Sequence, residues 1–92
     1  MQKEFRAIVH GRVQLVMYRD FAARAARRLG VAGTVRNLPD STVEVVAQGE
    51  QPALEAYLGR LRRGSLLSRV GHIDVVWREP VSVMNKFTIL YA

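Results

Sequence analysis

The order of hydrophobic periodicities along the chain constrains its fold more than any other feature of the sequence. In EFRAIVH (residues 4–10) apolar residues alternate with polar ones, as in a strand with one buried face. In FAARAARRLG (residues 21–30) they recur every three or four positions, as in an amphipathic helix. Both patterns return further on, so that the segments follow the order β-α-β-β-α-β. A chain with this order can form two β-α-β units that share one sheet.

Turn and capping residues mark the limits of these segments. Gly30 and Gly64 follow the two helical patterns, at the position where a left-handed residue ends a helix. Pro39 and Asp40 form a turn pair between two strand patterns, and Pro52 suits the first position of a helix. The predicted strands are 4–10, 31–38, 41–49, 70–78 and 86–91, and the predicted helices are 21–29 and 52–63.

This order predicts an α+β fold, namely a ferredoxin-like βαββαβ sandwich whose antiparallel sheet carries both helices on one face. Right-handed crossovers favour the strand order 4-1-3-2 for the first four strands. The last segment, KFTILY (residues 86–91), predicts an extra C-terminal strand near an edge of the sheet. Because 92 residues suffice for one modest core, we expect residues 1–92 to form a single domain.

Composition limits the chemistry available to this domain. The chain has no cysteine and only two histidines, His10 and His72, which excludes thiol chemistry and leaves little for a metal site. No apolar run reaches the roughly 20 residues of a membrane span, and the first residues lack a signal-peptide pattern. We therefore expect a cytoplasmic protein that uses neither a cofactor nor a metal.

The positive charge indicates an anionic partner. Fourteen lysines and arginines, twelve of them arginine, stand against eight acidic residues and give a net charge of +6. Arginine binds phosphate and carboxylate groups through a planar fork of donors. Nucleic acid and a small phosphorylated molecule both fit this charge, which does not by itself choose between them. A solvated helix face is the simpler explanation of Arg24, Arg27 and Arg28.

The segment Gly11–Arg19, between the first strand and the first helix, is the best candidate for a binding site. A short loop that enters a helix directs backbone N–H groups and the positive end of the helix dipole at one point. Arg19, at or next to the start of the helix, could close over a phosphate with two hydrogen bonds. Alternatively, Val13, Val16 and Met17 only plug the edge of the sheet while Arg19 lies in solvent.

Two motifs of this sequence resemble those of the acylphosphatases. GRVQLVMYR (residues 11–19) is similar to the family signature G-x-V-Q-G-V-x-[FY]-R, and GVAGTVRN (residues 30–37) is similar to the motif G-x-x-G-x-V-x-N. The segment DSTVE (residues 40–44), followed by Gly49, resembles the family's third strand. The resemblance covers essentially the whole chain. It implies the ferredoxin-like fold and an enzyme that hydrolyses acyl phosphates to a carboxylate and inorganic phosphate without a metal or cofactor.

The resemblance also assigns roles by position. It implies that the phosphoryl group is bound in the Val13–Arg19 loop by the backbone N–H groups of Leu15, Val16, Met17, Tyr18 and Arg19. Arg19 would add its guanidinium as a catalytic cation, and Asn37 would orient the attacking water. These roles fit the chemistry, because a transferring phosphoryl group needs positioned donors and a cation. The side chains of Met17 and Tyr18 are expected to pack in the core or within the loop.

Leu15 departs from the family pattern, which usually has glycine at this position. Glycine permits a positive φ and a close approach to phosphate, whereas leucine in that conformation carries a steric cost. We expect the loop to keep its path with Leu15 at negative φ and its side chain turned outward; a reshaped loop is the alternative. Ser41 stands at another position where glycine is common, and we expect it to change only the hairpin.

Two other functions stay open on the sequence. Leu15 could leave a phosphate-binding module that is inactive or only weakly active. A basic RNA-binding α/β plait has the same topology, but the strands of this chain lack the aromatic signature of RNA-binding domains. We therefore favour a monomeric enzyme whose substrate is a small acyl phosphate and whose product is inorganic phosphate. We expect neither a membrane nor a nucleic acid as its partner.

Overall fold

The computed structural model describes residues 2–91 and contains five strands and two helices. In chain order they are β1 (Gln2–Arg12), α1 (Tyr18–Leu29), β2 (Ala32–Asn37), β3 (Val43–Glu50), α2 (Gln51–Arg63), β4 (Arg69–Arg78) and β5 (Phe87–Leu90). The predicted order is confirmed, and the limits agree closely except at the start of α1. That helix begins at Tyr18 and not at Phe21, because the Phe21 N–H donates to the Met17 carbonyl (3.1 Å) and closes an earlier turn.

The strands form one sheet in the order β4-β1-β3-β2-β5, so the predicted order 4-1-3-2 is confirmed for the first four. Neighbouring pairs among these four are antiparallel. β5 extends the sheet at the edge beside β2, and it pairs with β2 in parallel. The five-stranded sheet is therefore mixed, because the chain reverses after β4 and returns in the direction of β2.

Both helices cover one face of the sheet and enclose the core. Phe5, Ala7 and Val9 of β1 are fully buried, as the alternating pattern predicts. Phe5 stacks on Tyr57 of α2, with the ring centroids 6.3 Å apart. The buried residues of α1 after Tyr18 are all alanines, namely Ala22, Ala23, Ala25 and Ala26. Because their side chains are small, the helix can lie close to the sheet.

Two buried tyrosines join the helices to each other. The Tyr18 hydroxyl donates to the Leu61 carbonyl in α2 (2.8 Å), and the Tyr57 hydroxyl donates to the Ala22 carbonyl in α1 (2.9 Å). Burial raises the pKa of both phenols, so both stay protonated and keep donating. The first residue of α1, and with it the end of the preceding loop, is thereby fixed to α2. Within residues 2–91, neither helix is long and apolar enough to cross a membrane.

The face of the sheet opposite the helices carries paired charges. Glu44 in β3 accepts hydrogen bonds from Arg6 (2.7 Å) and Arg36 (2.8 Å), and Glu4 in β1 accepts one from Arg78. Burial alone would raise the pKa of the Glu44 carboxyl, but the hydrogen bonds and charges of Arg36 and Arg6 outweigh it and lower this pKa. The Glu44 carboxylate therefore stays ionised and neutralises part of the arginine charge on this face.

Candidate active site

A cavity of about 250 Å³ lies where the loop between β1 and α1 meets the end of β2. Its lining residues are Val13, Leu15, Met17, Tyr18, Arg19, Asp20, Asn37 and Tyr91. The fold thus brings Arg19 and Asn37, which the sequence predicts as catalytic residues, to the same cavity. Val13 and Tyr18 are almost fully buried, and they anchor the loop in the core from both ends.

Two residues between these anchors have a left-handed backbone. Leu15 has a φ of 62°, and Met17, the residue before α1, has a φ of 61° and a ψ of 28°. Met17 makes no side-chain hydrogen bond that would cap the helix. The first N–H groups of a helix have no carbonyl acceptor one turn back, so those of Tyr18 and Arg19 need acceptors from outside the helix. An anion in the cavity would supply such acceptors.

The prediction of a negative φ at Leu15 is wrong. Its φ is 62°, while its side chain is 99% exposed and turned outward as expected. The loop therefore keeps the left-handed conformation for which glycine is suited, because the buried anchors Val13 and Tyr18 leave the short span between them little choice of path. Ser41 repeats this situation with a φ of 76° in the hairpin after β2. For residues other than glycine this conformation costs roughly 1–2 kcal/mol.

We expect Leu15→Gly to raise the free energy of unfolding by about 0.5–1 kcal/mol. Glycine adopts the positive φ without strain, and this gain exceeds the extra entropy that glycine gives the unfolded chain. Loss of the leucine side chain costs little folding energy, because that side chain is exposed. Urea unfolding of the variant and the wild type measures the difference. Leu15→Ala is the control, since it keeps the Cβ and hence the strain; an equal gain in both variants would contradict this explanation.

Gln14 ties the loop to the turn that follows β2. Its Nε2 donates to the carbonyls of Leu38 and Thr42, both at 2.8 Å. The turn is itself rigid, because the Asp40 carboxylate accepts hydrogen bonds from the hydroxyl (2.5 Å) and the backbone N–H (3.1 Å) of Thr42. These hydrogen bonds lower the pKa of Asp40. Asn37, next to Leu38, is therefore held at a set position relative to the loop.

Asn37 offers an unpaired polar atom at this position. Its backbone is held by the register of β2 on β3, where it faces Val43, and its Oδ1 is buried without a hydrogen-bond partner in the described part of the chain. A buried acceptor without a donor costs roughly 1–3 kcal/mol. Since Asn37 lines the cavity, a water molecule there could donate the missing hydrogen bond.

Arg19 is held in place by the C-terminal end of the chain. Its Nη1 donates to the Leu90 carbonyl (3.1 Å), and its guanidinium lies 4.8 Å from the centroid of the Tyr91 ring. A guanidinium has five N–H donors, so one hydrogen bond leaves others for a ligand. The alternative in which Arg19 is simply solvated does not describe this side chain, which is positioned by two contacts at the wall of the cavity.

The other residues considered in the sequence analysis lie partly in the core, partly in solvent and partly outside the cavity. Tyr18 is buried as expected, but the Met17 side chain is 65% exposed, because a left-handed residue before the helix turns it away from the core. Val16 lies against the core and does not line this cavity, so its side chain is not part of the phosphate site. His10 and His72 lie outside the cavity, and both form hydrogen bonds with the Asp74 carboxylate, at 2.9 and 2.6 Å.

Three residues at the site were not singled out from the sequence. Asp20 and Tyr91 line the cavity, and Gln14 braces it. Asp20 directly follows Arg19, and its place in the first turn of α1 is a signal that could have indicated it, since acidic residues are favourable there. Gln14 belongs to the loop motif itself. Nothing in the local sequence indicates Tyr91, because only the pairing of β5 with β2 brings it near Arg19.

Known proteins match both the sequence and the fold. The Acylphosphatase family model matches residues 5–89, a range that includes Arg19 and Asn37. The chain is 51% identical to an acylphosphatase of Thermus thermophilus over 73 residues, which cover 79% of this chain and 83% of the relative. It is 49% identical to one of Methylococcus capsulatus over 86 residues, covering 94% and 90%. The crystal structure of acylphosphatase from Bacillus subtilis superimposes with a TM-score of 0.94 at 35% identity, covering 97% of this chain and 99% of that one.

Proposed function

Because this chain belongs to the acylphosphatase family, we propose that it binds the phosphoryl group of its substrate in the Val13–Arg19 loop and directs a water with Asn37. Its activity is the hydrolysis of acyl phosphates to a carboxylate and inorganic phosphate. One observation carries the proposal for the site. Arg19 and Asn37, whose buried Oδ1 has no partner in the described part of the chain, line one cavity.

In this proposal the loop binds the phosphoryl oxygens. Its donors are the backbone N–H groups of Leu15, Val16, Met17, Tyr18 and Arg19. Arg19 adds its guanidinium, already positioned by Leu90 and Tyr91. Negative charge on the phosphoryl oxygens in the transition state is stabilised most by donors that need not move during the reaction. The loop meets this condition because it is anchored at Val13 and Tyr18 and braced by Gln14.

Asn37 holds the attacking water on the other side of the phosphorus atom. Its Oδ1 accepts a hydrogen bond from the water and so directs a lone pair of the water oxygen at phosphorus. The new P–O bond forms as the bond between phosphorus and the acyl oxygen breaks, and the carboxylate leaves with that electron pair. The proton of the water passes to a phosphoryl oxygen. Inorganic phosphate and a carboxylate are the products, so no covalent intermediate is needed.

The face of the sheet opposite the helices favours a small substrate over RNA. An RNA-binding plait stacks bases on aromatic side chains of this face. In the strands described here, the corresponding positions carry ion pairs such as Arg6–Glu44 and Arg78–Glu4. A monomer as the working unit is also part of the proposal. A cytoplasmic location stays part of the proposal.

Inorganic phosphate, the product, tests the binding site directly. When it is titrated into ¹⁵N-labelled protein, we expect saturable shifts of the backbone amide signals of Leu15–Arg19, because these N–H groups bind the anion. Arg19→Ala should remove the saturation at millimolar phosphate. Arg28→Ala, which removes an exposed arginine of the same helix, is the matched control and should retain it. Shifts centred on the outer faces of α1 and α2 that survive in Arg19→Ala would contradict the proposed site.

A further inference from the structure

Four large apolar side chains are exposed beside the candidate active site. The exposed fractions are 99% for Leu15, 98% for Leu66, 65% for Met17 and 63% for Leu67. We call these four residues the apolar rim. A single exposed leucine is ordinary, but neighbouring exposed apolar side chains at the mouth of a cavity indicate a binding surface.

A second cavity of about 250 Å³ is lined by three members of the rim, Met17, Leu66 and Leu67, while Leu15 lines the first cavity. The second cavity is lined by Val16, Met17, Phe21, Arg24, Ser65, Leu66 and Leu67. Met17 lines both this cavity and the one that contains Arg19 and Asn37. The two cavities therefore adjoin at Met17. The first contains the polar groups of Arg19 and Asn37, whereas the lining of the second is mostly apolar.

The exposed leucines of the second cavity belong to an ordered turn. The Ser65 N–H donates to Ser68 Oγ (2.8 Å), and the Ser68 N–H donates to the Ser65 carbonyl (3.2 Å). Leu66 and Leu67 lie between these two hydrogen-bonded residues. On the other side of the cavity, the Met17 side chain is directed into solvent by its left-handed backbone. Both walls are thus held in place while most of the surface of Met17, Leu66 and Leu67 stays exposed.

We infer that the apolar rim binds the acyl group of the substrate, so that this enzyme prefers acyl phosphates with a longer apolar chain to acetyl phosphate. The inference rests on the proposed function, which puts the phosphoryl group in the Val13–Arg19 loop. The acyl group is bonded to that phosphoryl group and has to leave the first cavity past its lining. An acyl chain that passes over Met17 reaches Leu66 and Leu67. This contact removes apolar surface of both the acyl chain and the protein from water.

Chain-length selectivity tests this inference. Release of inorganic phosphate from acetyl phosphate and from hexanoyl phosphate gives kcat/KM for each substrate. For the wild type we expect hexanoyl phosphate to be favoured by about tenfold, because part of its four additional methylenes is buried on the rim. In the double variant Leu66→Ser/Leu67→Ser the ratio of hexanoyl to acetyl kcat/KM should fall by about fivefold. Folding should be preserved, since both side chains are exposed.

The double variant Val81→Ser/Val83→Ser is the matched control. These valines are 93% and 82% exposed and line neither cavity, so the ratio should stay at the wild-type value. An unchanged ratio in Leu66→Ser/Leu67→Ser would overturn the acyl site. If light scattering then also showed a lower molar mass for this variant than for the wild type, the rim would instead be a contact between copies of this chain. Failure of the wild type to hydrolyse either substrate would instead remove the proposed function on which this inference rests.

Discussion

Asn37→Ala should lower kcat for benzoyl phosphate by about 10²–10³-fold while inorganic phosphate still binds. In the proposed mechanism the amide orients the attacking water, whereas the loop and Arg19 bind the phosphate. Its removal therefore affects the chemical step much more than the binding of phosphate. Release of inorganic phosphate from benzoyl phosphate, in the presence of a chelator, gives kcat, and competitive inhibition by inorganic phosphate gives its affinity.

The stability of the same variant separates this role from a structural one. The Asn37 Oδ1 has no hydrogen-bond partner in the described part of the chain, so its loss breaks no bond and removes an unpaired buried acceptor, and the urea midpoint should not fall. Asn85→Ala, at an exposed asparagine outside the cavity, is the control and should keep the wild-type kcat. If Asn37→Ala retained kcat, or lost it only together with its fold, the proposed positioning of water by Asn37 would be wrong.

Arg19→Ala should lower kcat/KM for benzoyl phosphate by about 10³–10⁴-fold and weaken inorganic phosphate as an inhibitor as well. In the proposed mechanism its guanidinium contacts the phosphoryl group both in the bound substrate and in the transition state, so binding and rate should be lost together. Lysine should restore little of the activity. It lacks the planar fork of donors and cannot both bond the Leu90 carbonyl and hold a phosphoryl oxygen in the same geometry.

Arg28→Ala is again the matched control for the loss of one positive charge from α1. If a general positive field attracted the substrate, both variants would lose kcat/KM to a similar extent, and the loss would shrink as salt is added. The proposed site instead predicts a loss in Arg19→Ala that persists at high salt, because its cause is a direct contact. A salt-dependent loss of similar size in both variants would show that Arg19 acts only through long-range attraction.

Much of the fold followed from local patterns. The alternation in residues 4–10 predicted which side chains of β1 are buried, because a strand turns successive side chains to opposite faces. Gly33, the second glycine of the motif GVAGTVRN, is required by a close contact between strands that cannot be derived from the sequence alone. Gly33 has a φ of 149°, and a Cβ there would lie 1.8 Å from the Val46 carbonyl oxygen of β3. Any other residue at this position would force β2 and β3 apart.

For the candidate site, too, some features could be predicted from the sequence and others could not. Arg19 and Asn37 could be named because two motifs resemble those of the acylphosphatases, and both residues line the cavity. The conformation of Leu15 was predicted wrongly, because a preference of leucine for negative φ was weighed without knowing that Val13 and Tyr18 are both buried anchors. Met17 was expected to pack, yet its side chain is exposed for the same reason. In this short loop the fixed ends, and not the preferences of single residues, decide the backbone.

By itself, the sequence determined the order of strands and helices, the buried faces, the order of the first four strands and the two residues proposed for catalysis. The elements and their order depend on periodicity along the chain, and the two residues depend on the resemblance of two short motifs to those of the acylphosphatases. Only the tertiary structure decided what holds Arg19, what braces the loop and which apolar side chains meet at its mouth. Arg19 bonds a carbonyl 71 residues away, and Gln14 bonds carbonyls 24 and 28 residues away. Such contacts exist only after β5 has joined β2 and the turn after β2 has closed, because no local interaction links those segments.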